Sequence, residues 1–243
     1  MATMIKSRER VADHGEVFTG EREVNAMLDL VKQETERVDS RFLEPACGDG
    51  NFLAEILRRK LVAAKRRAIP PRKRKPLPLE FEKQSVIAVA SLYGVDILID
   101  DVIACRERLY NIWNEEYEAI CGNEIDEKCR EAVRFILSRN IVCGNALSLK
   151  VVDENGNDTD EPIIFSEWAF VMGDKMQRKD FRFDKLLAGD YEPAPVVKVE
   201  QQSVNESPEQ LSLLDIQEEE ASDEGEFLKS YISDYRRVQE HGD

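Results

Sequence analysis

The sequence predicts an α/β domain built on a parallel sheet, and three observations point that way. Short apolar runs at 41–45, 93–96 and 141–143 alternate with stretches whose apolar residues recur at helical spacing. The first run breaks into Gly48-Asp49-Gly50 directly before a helical stretch, giving strand, glycine turn and helix in order. The second run closes on Asp96, and the third is closed by Gly144-Asn145. Right-handed crossovers would bring all three carboxyl ends to one edge of the sheet, where such sheets bind ligands.

Each element follows from local pattern. Val24, Met27, Leu28 and Val31 predict a helix over 21–37, with Thr19 as its N-cap. Pro45 ends the first strand, and Phe52, Leu53, Ile56, Leu57 and Leu61 trace the face of the next helix. Residues 81–92 read as helical and lead into the second strand. A long helix from Asp101 carries Val102, Cys105, Leu109, Ile112, Trp113 and Ile120, and another over 126–138 carries Cys129, Ala132, Val133, Ile136 and Leu137. After Leu149 the period changes: 147–152 and 162–168, around Asn155-Gly156, read as a β-hairpin arm, because Asn-Gly suits a primed turn. Residues 180–187 add one short strand or helix. No further strand–helix pair follows, so the parallel-rich sheet is expected to stop early, after a fourth strand.

Charge divides the chain. Its 34 Lys+Arg against 49 Asp+Glu give a net charge of −15. Residues 190–243 hold 15 acids against 4 bases, a balance of −11, with Pro193, Pro195 and Pro208. So acidic a stretch is expected to be a mostly disordered tail behind a folded domain at 1–189. The opposite bias fills a Pro-rich insertion at 58–79: Arg58, Arg59, Lys60, Lys65, Arg66, Arg67, Arg72, Lys73, Arg74 and Lys75, with no acid among them. Such a loop either contacts phosphates or is a solvated insertion that pairs with the chain's own acidic tail. The 5 Cys contain no C-x-x-C pair and the 2 His are remote, so neither a disulfide framework nor a metal site is expected. There is no apolar run of membrane-spanning length and no apolar signal core near Met1, and the expected setting is cytoplasmic, away from membranes.

At the carboxyl edge the first strand delivers Glu44 and the loop Gly48-x-Gly50, the second Asp96, and the third Asn145. A glycine turn at a helix N-terminus lets a ligand approach the backbone, and an acid ending the second strand can accept both hydroxyls of a ribose. Read alone, the glycines also suit an ordinary turn and Asp96 a helix cap. The run Phe42-Leu43-Glu44-Pro45-Ala46-Cys47-Gly48-Asp49-Gly50-Asn51-Phe52-Leu53 resembles the first motif of S-adenosylmethionine-dependent N6-adenine DNA methyltransferases of restriction–modification systems. Gly15-Glu16-Val17-Phe18-Thr19-Gly20 is similar to that family's Phe-Thr-Pro motif, with Gly20 in place of the proline. Tyr93-Gly94-Val95-Asp96 matches its ribose motif, and Cys143-Gly144-Asn145-Ala146-Leu147 its adenine motif, with Asn145 where Asp is usual. The resemblance covers about residues 11–150 and implies a Rossmann-like methyltransferase fold. It implies that Thr19, Glu44, Cys47, Gly48, Gly50, Asp96 and Asn145 line a site for S-adenosylmethionine. Glu44 would attract the methionine ammonium, Asp96 would hold the ribose and Asn145 the adenine.

The family's acceptor motif, Asp/Asn-Pro-Pro-Tyr, does not occur in this sequence. The only Pro-Pro, Pro70-Pro71, lies in the basic insertion. Where the fourth strand should end stand Ser166, Glu167 and Trp168, a degenerate slot in which Glu167 could accept a hydrogen bond and Trp168 could stack on a base. Equally, Trp168 suits the core and Glu167 the surface. Two classes of function follow from the resemblance. One is a DNA adenine methyltransferase, or the modification subunit of one, with a variant or partner-supplied acceptor pocket. The other is a catalytically inactive S-adenosylmethionine-binding scaffold or sensor in a defence complex, and an RNA or small-molecule acceptor is a third, lesser option. The partners implied are DNA and other restriction–modification or defence subunits. In the tail, Gln210-Leu211-Ser212-Leu213-Leu214 resembles the peptide by which bacterial proteins dock on the replication sliding clamp, with Gln210, Leu211, Leu213 and Leu214 as the contact residues. Phe227, Tyr231 and Tyr235, at i, i+4 spacing, are expected to form a short helix that packs on the domain or a partner.

Overall fold

A computed structural model describes residues 19–188, 219–220 and 228–241. Three strands, β1 (Phe42–Glu44), β2 (Leu92–Asp96) and β3 (Ile141–Cys143), form a parallel sheet in the order β1-β2-β3. Glu44 stands beside Gly94 and Asp96 beside Cys143, so the register brings the carboxyl ends together. The expected alternation of strand and helix is present, and the architecture is mixed α/β, compatible with a Rossmann-like sheet.

The expected single helix over 21–37 is instead two, α1 (Glu21–Asp29) and α2 (Lys32–Thr35). Leu30 and Val31 between them are exposed, so no apolar face holds the helix through that point. Thr19 does not cap α1. Gly20 occupies the N-cap in an extended conformation, with no side-chain cap bond, and its carbonyl accepts from Val24 N–H. Next, α3 (Asn51–Arg67) and α4 (Pro78–Ala90) form a helical hairpin between β1 and β2. Between β2 and β3 run α5 (Ile99–Cys121) and α6 (Glu127–Asn140), the latter capped by Asp126, whose side chain accepts from Lys128 N–H. These helices pack on one another and share one apolar core with Leu92 and Ile141. Inside it Trp113 stacks on Tyr117 at 4.6 Å and donates to Ser85 Oγ at 2.9 Å.

That placement follows from topology. Each crossover steps in the same direction along the sheet, and a right-handed crossover then always lands on the same face. The opposite face, with Tyr93, Val95 and Val142, is covered by Ile163, Phe165 and Phe183. The hairpin predicted around Asn155-Gly156 forms, but its strands are β4 (Lys150–Val152) and β5 (Asp158–Pro162). Gly156 supplies the positive φ of 79° that its turn needs. Residues 164 onward begin a second hairpin, β6 (Ile164–Met172) with β7 (Lys175–Arg182), followed by the short helix α7 (Phe183–Ala188). The expected fourth strand therefore pairs in an antiparallel sheet of order β6-β7-β9-β8, where β8 is Glu219–Glu220 and β9 is Lys229–Asp234. Among the described residues the parallel sheet holds three strands.

The domain boundary expected at 189 leaves out part of the folded unit. β9 pairs with β7 along its length, and a 3-10 segment, Tyr235–His241, follows it. Tyr231 and Tyr235 are both buried, Tyr231 in the strand and Tyr235 in the 3-10 turn, rather than sharing one helix. Phe227 and the motif at Gln210, Leu211, Leu213 and Leu214 lie outside the described residues, as do Gly15 to Phe18 and most of the acidic stretch. No helix among the described residues is long and apolar enough to cross a membrane.

Candidate functional site at the carboxyl edge

The glycine turn is built against strand β2 and helix α5. Cys47 N–H donates to Val95 O at 2.9 Å, and Gly48 N–H donates to Asp96 Oδ2 at 2.8 Å. Gly50 caps α3 in the left-handed region, with φ 88°. A Cβ at this position would lie 2.7 Å from Cys105 Sγ, so both conformation and packing require glycine. Gly94 is likewise closed in by Cys47 Sγ at 3.0 Å. The side chains of Cys47 and Cys105 hydrogen-bond inside this layer, and that contact together with burial pushes the Cys47 thiol far above its ordinary range. Asp49 is steadied by Arg108, which also donates to Asn51 Oδ1 at 2.8 Å.

Two carboxylates flank the turn. Burial raises the pKa of Glu44, and its one lowering influence is a hydrogen bond from the Ala46 backbone. Burial likewise raises Asp96, opposed by hydrogen bonds from Leu98 and Gly48 N–H and reinforced by Asp101 and Asp100. The edge is therefore acidic. Gly144 N–H donates to Asp96 O at 2.9 Å, which ties the end of β3 to the same corner.

Glu44, Cys47, Gly48, Gly50 and Asp96 thus come together as the sequence suggests. Asn145 follows β3, but its amide is engaged: Oδ1 accepts from Leu147 N–H at 3.0 Å and Nδ2 donates to Asp158 Oδ1 at 3.0 Å. Thr19 lies two residues before α1, at the start of the described chain.

Ser166, Glu167 and Trp168 stand elsewhere. Glu167 pairs with Arg41, just before β1. Ser166 O accepts from the hydroxyl of Tyr93, near the start of β2. Trp168 Nε1 donates to Asn140 Oδ1, just before β3. All three contacts are to residues at the amino ends of the parallel strands, opposite the glycine turn. Ser166 is also held by Asp180 at 2.6 Å, and Trp168 is buried beneath the Arg178 guanidinium. This segment is consumed in packing, because its strand pairs with β7 instead of extending the parallel sheet.

The donor set bears on S-adenosylmethionine directly. Glu44 suits an ammonium, being a half-buried carboxylate with no cationic partner among the described residues. Asp96 retains only the lone pairs that Gly48 and Leu98 leave, and Asn145 would have to release a bond to read a base. The fit is good at the methionine end and incomplete at the adenosine end. A separate cavity of about 200 Å³ lies away from the turn, lined by Arg139, Val142, Val151, Glu161 and Ile163 among others. No group of His, Cys, Asp and Glu among the described residues could hold a metal ion. Sequence reasoning missed Asp100, Asp101 and Arg108; their only signal was position on α5, next to Asp96 and one turn beyond Cys105. No protein family, no curated protein and no solved structure matches this chain.

Proposed function

We propose that the protein binds S-adenosylmethionine at the carboxyl edge of a Rossmann-like sheet and serves as the modification subunit of a DNA adenine-N6 methyltransferase. The observation that carries this reading is the pair of half-buried carboxylates, Glu44 and Asp96, on either side of the Gly48–Gly50 turn. An edge that gathers Glu44, Asp96, Asp100 and Asp101 favours a ligand with a sulfonium and an ammonium, and disfavours a pyrophosphate. The motif run from Phe42 to Leu53 supports the same reading.

On this reading a partner supplies the acceptor pocket, since Glu167 and Trp168 are held at the other edge by Arg41 and Asn140. That same observation favours a second reading, a catalytically inactive S-adenosylmethionine-binding scaffold or sensor. Calorimetric titration with S-adenosylmethionine tests what the two share. A dissociation constant near ~1 μM corresponds to about −8 kcal/mol. It should weaken at least tenfold in Glu44→Gln, and no heat from folded protein would refute both. Transfer of labelled methyl groups to unmethylated DNA, with and without added partner subunits, then separates them. Transfer that needs the partner supports the first reading, and its absence with every partner supports the second.

A further inference from the structure

We infer that the tip of the α3–α4 hairpin is a contact surface for the phosphate backbone of duplex DNA. This rests on the hairpin and not on the cofactor reading. Between Glu55 and Glu80 the chain carries ten Lys and Arg and no acid, although its net charge is −15. The structure sorts these cations. Arg59 holds Asp29 at 2.9 Å and Glu55 at 3.0 Å, Arg58 lies 3.8 Å from Glu55, and Lys60 is buried. Lys65 and Arg67 make only long contacts, 3.6 Å to Glu116 and 3.7 Å to Asp39. Arg66, Arg72, Lys73, Arg74 and Lys75 are exposed, and none has a carboxylate within ion-pair reach among the described residues.

The cations of the turn sit on a built loop. Leu77 N–H donates to Ala68 O at 2.9 Å and closes it, while Lys73 N–H donates to Pro70 O at 3.0 Å. Arg72 takes the left-handed conformation at φ 66°, and Ala68 is buried at the base. With Pro70, Pro71 and Pro76 also in the loop, little ordering remains to be done on binding. The dipole of α3 accounts for basic residues at 65–67, but not for four more on the turn beyond. A cluster of exposed cations on an ordered loop backbone, with no carboxylate partner among the described residues, suits a phosphate backbone. No aromatic residue lies between Phe52 and Phe81, so the tip has no ring on which unpaired bases could stack, and this favours a duplex over a single strand.

The test uses the full chain and a 20-base-pair duplex of arbitrary sequence, titrated without S-adenosylmethionine at several salt concentrations. In a variant combining Arg72→Asn, Lys73→Gln, Arg74→Gln and Lys75→Gln, affinity at low salt should fall at least tenfold. The log–log salt slope should shrink by about 3.6 if all four cations contact phosphates, given roughly 0.9 per contact. Asparagine at 72 keeps the left-handed backbone tolerable. A control neutralising Arg22, Lys32, Lys128 and Lys185 should bind as the parent does. An equal loss in that control, an unchanged affinity in the tip variant, or tighter binding of oligo(dT) or phosphatidylserine vesicles than of duplex would each overturn the inference. Cofactor titration of the tip variant should match the parent, so failure of the cofactor reading shows separately.

Discussion

Glu44 is a charge that the fold would be more stable without. Its pKa is raised because burial disfavours the carboxylate, and one backbone hydrogen bond from Ala46 does not offset that. A raised acid contributes stability that is full below the ordinary glutamate range and is lost as pH climbs through the folded value. The penalty is therefore larger at neutral pH than in the ordinary glutamate range. Glu44→Gln should therefore raise the urea midpoint at pH 7, and by more than at pH 4, while weakening S-adenosylmethionine. A lower midpoint at pH 7 would mean that the carboxylate has a structural partner. Asp96 shares the direction of shift but not the outcome: its oxygens accept from Gly48 and Leu98 N–H, and Asp96→Ala should destabilise the turn by about 1–3 kcal/mol. Equilibrium unfolding of that variant checks it. Glu44, Gly48, Gly50 and Asp96 were legible in sequence because strand, turn and helix are short-range patterns. That Asn145 spends its amide on Leu147 and Asp158 was not, since that depends on a hairpin whose register no local pattern fixes.

At the scale of elements, the least legible feature is the return of the chain end to the domain. The segment sits in the acidic stretch, so charge masked β9, where Ser230, Tyr231 and Ser233 are buried. Its anchor is far away in sequence. Glu82, on α4 and buried, accepts from Tyr117 Oη at 2.7 Å, from Tyr235 Oη, and from Arg236 Nε at 2.6 Å. Arg236 also reaches Asp126 at 3.3 Å. An acid at an inward position of a helix is a warning of a buried partner, but the sequence does not say which of many bases supplies it. Removing that base leaves a buried carboxylate with phenols alone. Arg236→Met should cost about 3 kcal/mol, read as a lower urea midpoint with unchanged slope, and Glu82→Gln in the same background should recover part of it. A midpoint unmoved by Arg236→Met would show that β9 and the buried Tyr235 hold the chain end without the ion pair.

For the whole molecule, strand order decides both shape and site. Among the described residues the order β1-β2-β3 never reverses, so all crossover helices fall on one face and no switch-point crevice is formed there. The three parallel strands are legible from local pattern and the fourth is not, because β6 is apolar enough for either sheet and only its pairing with β7 decides. The same fold encloses a lysine and several thiols whose titration bears on stability at and above neutrality, and they pull it in opposite directions. Lys60 Nζ sits among Val38 O, Ser40 O and Ser91 Oγ, and burial pulls its pKa down to about 7. Above that value the unfolded chain holds a proton that the folded chain has lost, so stability rises with pH until unfolded lysine itself titrates. Cys47, Cys121, Cys129 and Cys143 have thiols raised by their surroundings, Cys121 to about 12. Their contribution is full below the ordinary thiol value and falls away above it, as the unfolded chain deprotonates first. Four thiols outweigh one lysine once they begin to titrate, near ~8.5. The unfolding free energy under reducing conditions should thus climb from pH 7 to about pH 8 and decline by pH 10. Lys60→Met should abolish the rising limb and leave the decline. A rising limb that survives the substitution would show that Lys60 stays charged in the folded protein, held so by its three oxygen acceptors.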